Sequence, residues 1–200
     1  MEFTSRHPYD PFVPDDAEIL IIGSMMPSRF CRRDQDALFG DDVDFYLGAR
    51  DNDFWRMVSE TAGAELRYEN TEEAVSERKA LLTRIHAGIT DLVEECTFSN
   101  RNPDDDSYEV IRYSDISALL YKYPKIDTLI YADSKVPEMM FNALNGKYRE
   151  QWGKFNKNGN ITANHRVYSV CTLYSKMLDP AFGATKKIQI MFYKQFFKLD

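Results

Sequence analysis

The stretch Ile19-Leu20-Ile21-Ile22-Gly23-Ser24-Met25-Met26-Pro27-Ser28 decides the fold. Its apolar first part follows the turn-forming Pro14-Asp15-Asp16, and this pattern predicts a strand from Glu18 to Ile22 that is covered on both faces. Gly23 and Pro27 predict a loop at the carboxyl end of that strand. Because ligands of parallel α/β sheets bind outside the carboxyl ends of the strands, this loop is the first candidate for a binding site.

Strand and helix patterns alternate along the rest of the chain. Further strands are predicted over Ile89–Val93, Ile126–Tyr131 and Arg166–Leu173. Helices are predicted over Asn52–Ala64, Thr71–His86, Ser114–Leu120, Val136–Phe155 and Lys187–Leu199. We therefore predict the α/β class, as a three-layer α/β/α sandwich with a central, mostly parallel four-stranded sheet, in a single domain spanning residues 1–200.

Composition limits the classes of function. With 44% hydrophobic residues among 200, the chain can bury one sizeable core. The net charge of -7 argues against a protein that coats nucleic acid by bulk electrostatics, although it permits local contacts to phosphate. No apolar run is long enough to cross a bilayer and the first residues lack a signal-peptide pattern, so we expect a cytoplasmic protein. Cys31, Cys96 and Cys171 lack Cys-x-x-Cys spacing, which favours reduced thiols over a zinc site or disulfides.

Three segments together resemble one enzyme superfamily. They are Ile21–Ser28, Phe45-Tyr46 and Asn52-Asp53-Phe54-Trp55-Arg56. In order and spacing they resemble the uracil-DNA glycosylase superfamily, and most nearly its hypoxanthine (deoxyinosine) DNA glycosylase branch. In that branch the first motif has the form Gly-Ser-Met-Pro-Ser, and an aromatic pair precedes an Asn-x-Phe-Trp helix start. The segments His7–Pro11 and Gly88–Glu94 also look like that branch, and weaker similarity covers nearly the whole chain.

The resemblance implies an enzyme that hydrolyses the N-glycosidic bond of a deaminated base, uracil or hypoxanthine, in DNA during base excision repair. Such chemistry needs a base flipped out of the stack, stabilisation of the leaving base, and a water placed near the sugar carbon. It requires no metal and no organic cofactor. The implied partner is DNA, duplex or single-stranded, that contains a damaged base; no membrane contact is expected, and a monomer is the expected state.

The resemblance also assigns roles to residues. Asn52 is the implied catalytic residue, acting through water positioning or through contacts to base and sugar; an Asn at this place would also cap the following helix. The implied base-binding residues are Gly23, Ser24, Met25 and Met26, whose backbone N–H groups would bind the leaving base, together with Phe45 or Tyr46, which would stack on it. The alternative for the two aromatic residues is packing in the core. Trp55 is assigned to the core because it shares a helical face with Val58.

A second DNA-contacting loop is expected after the last strand. The superfamily carries a Pro-Ser-rich loop there, and the matching residues here are Thr172, Leu173, Tyr174 and Ser175, without a proline. Thr172 and Ser175 would donate hydrogen bonds to phosphate, and Leu173 or Tyr174 would act as the wedge that pushes out a base. The alternative is an ordinary turn that contacts nothing.

Departures from the family pattern keep other functions open. Met25-Met26 stands where the family has one methionine, Gly48-Ala49-Arg50 where it has His-Pro, and Ala132-Asp133-Ser134 where it tends to have Asn-Gly. The alternatives are a non-catalytic nucleic-acid or protein-binding module that keeps the fold, and a hydrolase of a small nucleoside. The enzyme hypothesis predicts that Asn52, the Gly23 loop and Phe45 or Tyr46 converge on one cavity with a positive rim. The three histidines, His7 among them, are assigned structural or exposed positions.

Overall fold

The computed structural model describes residues 2–32, 38–99, 107–143, 159–174 and 178–199. Within these residues the strands, in chain order, are β1 (Phe3–Arg6), β2 (Ile19–Gly23), β3 (Ala87–Asp91), β4 (Val93–Phe98), β5 (Tyr108–Tyr113), β6 (Thr128–Tyr131), β7 (Gly159–Ala163) and β8 (Arg166–Thr172). The helices are α1 (Ser28–Cys31), α2 (Phe54–Thr61), α3 (Glu72–Arg84), α4 (Ile116–Lys122), α5 (Val136–Ala143) and α6 (Lys186–Phe196), with a 3-10 turn at Pro180–Phe182.

The central sheet has the strand order β3-β2-β6-β8-β7. Strands β3, β2, β6 and β8 are parallel, which confirms the predicted α/β fold with a mostly parallel sheet. Every residue of β2, β3 and β6 is buried, and for β2 the continuous apolar run predicted this. In this register Gly23 lies opposite Asp91, so the loop after β2 and the end of β3 share one edge of the sheet.

The fifth strand, β7, was not predicted. It pairs antiparallel with β8 through a turn at Asn164 and His165, both of which have positive φ (48° and 60°). A two-residue hairpin turn favours such angles and is most easily recognised by a glycine, which this turn lacks. The predicted helix Val136–Phe155 is observed as α5 up to Ala143, and residues 144–158 lie outside the described residues.

A second, three-stranded antiparallel sheet has the order β1-β4-β5. The predicted strand Ile89–Val93 is therefore two strands, because the chain leaves the central sheet after Asp91 and enters the small sheet at Val93. The N-terminal strand pairs with β4, so that Arg6 lies opposite Glu95. This sheet was missed because its strands are short, half-exposed and paired over long sequence separations.

Helices cover both faces of the central sheet. One core contains Trp55 and Val58 of α2 with Leu82 of α3, and the other contains Leu120 of α4 and Met140 of α5. Trp55 is 1% exposed, as predicted, and its Nε1–H donates to the carbonyl of Tyr46 at 2.7 Å. In the part of the chain that the structure describes, every helix is too short or too polar to span a bilayer.

Candidate active site

A cavity of about 470 Å³ lies at the carboxyl edge of the central sheet. Three segments line most of it: the loop after β2 (Ser24–Pro27), the residues before α2 (Asp51–Asp53) and the loop after β6 (Ala132–Lys135). These loops leave adjacent parallel strands or lead into the helix that packs beside them, so the topology brings them together. A smaller cavity of about 230 Å³ shares Asn52, Asp53 and Ala132 with the first.

Asn52 lines the large cavity and also holds the start of α2. Its Oδ1 accepts a hydrogen bond from the backbone N–H of Phe54 at 2.9 Å, and its own N–H donates to the carbonyl of Ala49. The N-cap of α2 is Asp53, which makes no side-chain cap bond, and Asn52 precedes it. The bond from Phe54 nevertheless holds the Asn52 amide at the start of α2, so a supporting role at the helix start and a role in the cavity are compatible.

The loop after β2 brings Ser24, Met25 and Met26 to the same cavity, but Ser24 is hydrogen-bonded to another residue of the protein. The N–H and Oγ of Ser24 both donate to Oδ2 of Asp133, at 3.2 and 2.8 Å. Oδ1 of Asp133 accepts from the N–H of Lys135 at 2.8 Å. One of the N–H groups expected to bind the leaving base is thus bonded to a carboxylate. Asp133 stands in the segment where the family tends to have Asn-Gly.

Gly23 precedes the cavity and does not line it. A Cβ at this position would collide with Oδ1 of Asp91, which lies across from it on β3. The glycine is therefore required by the approach of a carboxylate to the backbone. Its contact with a base stays a prediction.

A buried ion pair that the sequence did not indicate connects this loop to the segment before α2. Nε and Nη2 of Arg29 donate to Oδ2 and Oδ1 of Asp42 at 2.8 and 3.0 Å, and both side chains are at most 1% exposed. Asp42 also accepts from the N–H groups of Phe39 and Arg50, each at 2.9 Å. Burial alone would raise the pKa of Asp42, but the hydrogen bonds from Arg29, Arg50 and Phe39 outweigh it and the pKa lies below its usual value.

The rim of the cavity is not positive. Asp51 and Asp53 are 76% and 86% exposed, and Asp133 lines the same cavity. Of the cations that line the cavity, Arg29 is bound to Asp42, which leaves Lys135 beside the three carboxylates. The expected convergence is therefore partial: Asn52 and the loop after β2 meet, but the expected cationic rim is absent from the described residues.

The two predicted stacking residues lie outside this cavity. Phe45 and Tyr46 are 3% and 1% exposed and pack in the core. The hydroxyl of Tyr46 donates to the carbonyl of Tyr9 at 3.2 Å, and the imidazole of His7 stacks on its ring. The alternative of core packing describes both residues, and stacking on a base stays a prediction.

The loop after β8 reaches the smaller cavity. Thr172 is buried, Leu173 lines that cavity, and Tyr174 is 37% exposed, while Ser175 lies outside the described residues. Burial, and then the charge of Asp133, raise the pKa of Tyr174. Tyr174 is thus an exposed aromatic residue, whereas Leu173 is partly buried against the core, and the role of either residue as a wedge stays a prediction.

Two further buried residues were missed as site candidates. Nε2 of His7 lies 3.0 Å from Oδ2 of Asp91, and their side chains are 7% and 2% exposed. Both belong to segments that resemble the glycosylase branch, which was the available signal. Among the described residues no cluster of His, Cys, Asp and Glu is arranged to hold a metal ion, and Cys31, Cys96 and Cys171 are free thiols.

Comparison with known proteins agrees with the fold. No protein-family model matches the chain, and no curated protein matches its sequence. The solution NMR structure of a protein from Methanosarcina acetivorans, described as a "putative Uracil DNA glycosylase", is similar with a TM-score of 0.58 over 98% of each chain. The sequence identity of the pair is 18%, so the similarity concerns the fold alone.

Proposed function

We propose that this chain is a DNA glycosylase that hydrolyses the N-glycosidic bond of a deaminated base, uracil or hypoxanthine, after flipping it out of the DNA stack. The observation that carries the proposal is the meeting of Asn52 with the Ser24–Pro27 loop in one cavity at the carboxyl edge of a uracil-DNA-glycosylase-like sheet. The two segments are separate in the sequence, and each resembles a motif of the hypoxanthine branch.

The roles follow from the chemistry of the bond. As the bond between sugar and base breaks, its electron pair goes to the base, and the sugar carbon gains positive charge until a water molecule adds to it; the proton that this water loses ends on the released base. The amide of Asn52, held by the N–H of Phe54, positions that water or contacts the sugar. Backbone N–H groups of Met25 and Met26 stabilise the negative charge on the base. Asp53, exposed beside Asn52, is close enough to the same cavity to favour the cationic sugar.

The carboxylates of the rim favour a second candidate substrate. Asp51, Asp53 and Asp133 repel phosphate, and a free nucleoside carries none. Hydrolysis of a nucleoside would use the same bond chemistry without a DNA-binding surface. Comparing the rates of base release from DNA and from free nucleosides distinguishes the two candidates.

The test is the release of base from oligonucleotides that contain uracil, hypoxanthine or xanthine, in single and double strands, with the matching nucleosides alongside. We expect abasic product from at least one oligonucleotide. Asn52→Ala should lower the rate by a factor of about 100 or more, as expected for loss of a group that acts in the transition state. Asn70→Ala, an exposed asparagine away from the cavity, is the matched control.

The outcomes separate the candidates. Product from nucleosides but not from oligonucleotides assigns the small-molecule reaction. No product from any substrate rejects both enzyme proposals and favours a non-catalytic binding module. Equal rates for Asn52→Ala and the wild type reject the role of Asn52.

A further inference from the structure

The carboxylate of Asp133 stands in the wall of the cavity where donors for an anionic leaving group are expected. The N–H and Oγ of Ser24 both donate to its Oδ2, at 3.2 and 2.8 Å, and the N–H of Lys135 donates to its Oδ1 at 2.8 Å. Asp133 lines the same cavity as Asn52. The donors of Ser24 are therefore directed at a carboxylate, and this wall presents negative charge to a base in the cavity.

The other charges around the cavity do not compensate for this carboxylate. Asp51 and Asp53 also line the cavity and are largely exposed. Of the lining cations, Arg29 is held in a buried ion pair, and Nζ of Lys135 lies 5.5 Å from the centroid of the Tyr108 ring, which lines a neighbouring cavity. A neutral base gains little from such a field, whereas a cationic base is attracted by it.

We propose that this cavity also accepts and releases purines that carry a positive charge through N-alkylation, such as 7-methylguanine and 3-methyladenine, and that Asp133 selects them. The inference rests on the proposed function in taking the same glycosidic bond and the same role for Asn52. It extends that function to a class of base that differs from uracil and hypoxanthine in charge.

The movement of charge in the reaction explains why the cavity suits such a base. When the bond to a deaminated base breaks, the electron pair makes the base negative, and N–H donors are needed to stabilise it. When the bond to an alkylated purine breaks, the same pair cancels the positive charge of the ring, and the base leaves neutral. Water adds to the sugar carbon and loses its proton to the solvent. The reacting nucleoside carries one positive charge throughout, so Asp133 attracts substrate and transition state alike.

The size and the apolar wall of the cavity also suit an alkylated purine. Its volume of about 470 Å³ lies within the range of about 300–1,000 Å³ that is usual for small-ligand sites. Met25 and Met26 line the cavity beside Ser24. Thioether sulfurs make favourable contacts with the edges of aromatic rings, and methionine adapts its shape to an added methyl group.

The test is base release from oligonucleotides of one sequence that carry 7-methylguanine, hypoxanthine or uracil at one position, with spontaneous loss of 7-methylguanine subtracted. We expect the wild type to release 7-methylguanine with a kcat/KM about tenfold or more above that for hypoxanthine. Asp133→Asn should raise the KM for 7-methylguanine about tenfold relative to the KM for hypoxanthine, with little change in kcat, because the charge acts in the ground state and the transition state. Asp15→Asn, which removes an exposed carboxylate at the amino end of β2, is the control and should leave this ratio unchanged.

The outcomes separate this inference from the proposed function. Release of hypoxanthine or uracil without release of 7-methylguanine above its spontaneous rate overturns the inference and leaves the proposed function standing. Release of 7-methylguanine alone supports the inference and rejects deaminated bases as substrates. A ratio of KM values that Asp133→Asn does not change overturns the role of Asp133.

A binding measurement replaces the variant if Asp133→Asn does not fold. The wild type should bind 7-methylguanosine about fivefold or more tightly than guanosine at low salt and mildly acidic pH, where the methylated ring is cationic. The difference should shrink at high salt, because salt screens the attraction between the carboxylates and the ring. Equal binding of the two nucleosides at low salt overturns the inference.

Discussion

The buried pair Arg29–Asp42 gives the sharpest prediction about stability. Asp42→Asn keeps the shape of the side chain but removes the charge that compensates Arg29, which is 1% exposed. Removing one partner of a buried ion pair costs about 3–5 kcal/mol. Because Nη2 of Arg29 also lies 3.7 Å from Oδ1 of Asp51, and because Asn keeps one acceptor oxygen, we expect the lower part of this range.

Urea unfolding followed by circular dichroism measures this cost as a change in the free energy of unfolding at constant m-value. Asp41→Asn, an exposed neighbour, is the control and should change the free energy by less than about 0.5 kcal/mol. The double variant Arg29→Met/Asp42→Leu should be more stable than Asp42→Asn, because it leaves no buried charge. A cost for Asp42→Asn no greater than that of the control would refute the reasoning.

The same pair predicts how stability depends on pH. The pKa of Asp42 is lower in the folded protein than in the unfolded chain, so the unfolded chain binds its proton first as the pH falls. The contribution of Asp42 is therefore complete above the unfolded value of about 3.9 and is lost as the pH falls through the lower folded value. Asp42→Asn should remove this part of the acid dependence, and an unchanged profile would contradict the assignment.

Three further predictions follow from single contacts. Gly23→Ala should displace the carboxylate of Asp91 and destabilise the protein by about 1–3 kcal/mol, measured by urea unfolding; an unchanged free energy would mean that the two strand ends separate freely. Asp133→Asn should weaken the bonds from Ser24 and make the rim less negative, so that single-stranded DNA binds about 2–5-fold more tightly at low salt and equally at high salt, measured by fluorescence anisotropy. Asp115→Ala should remove the cap of α4 and cost about 0.5–2 kcal/mol, and no loss on thermal unfolding would show that the cap is dispensable.

The parts of the fold that the sequence predicted are those whose signal is local. The apolar run of β2 and the Gly23 loop stand in one stretch, and the alternation of strands and helices determines the parallel sheet. The position of Asn52 at a helix start also follows from neighbouring residues, and its place in the cavity follows from the topology. Each of these predictions depends only on residues that are neighbours in the sequence and on the handedness of α/β connections.

The missed features depend on residues that meet only after folding. Arg29 and Asp42 stand in charged clusters that resemble solvated surface, and nothing in the sequence marks them as partners. His7 and Asp91 are 84 positions apart, and their contact requires both the small sheet and the central sheet. A local pattern of residue types does not indicate which distant residues form such pairs. The sequence therefore predicted the loops that line the cavity better than it predicted the ion pairs that hold those loops in place.

The hydrogen bond from Trp55 to the carbonyl of Tyr46 gives the protein an intrinsic optical probe. The chain has two tryptophans, and in a Trp152→Phe variant all indole emission comes from Trp55, which is buried directly behind the residue on which His7 stacks. Any rearrangement of the Tyr46 segment changes the polarity around that indole. The emission wavelength of Trp55 and its quenching by iodide would then report a rearrangement of the Tyr46 segment in real time, in stopped-flow mixing, without an attached dye.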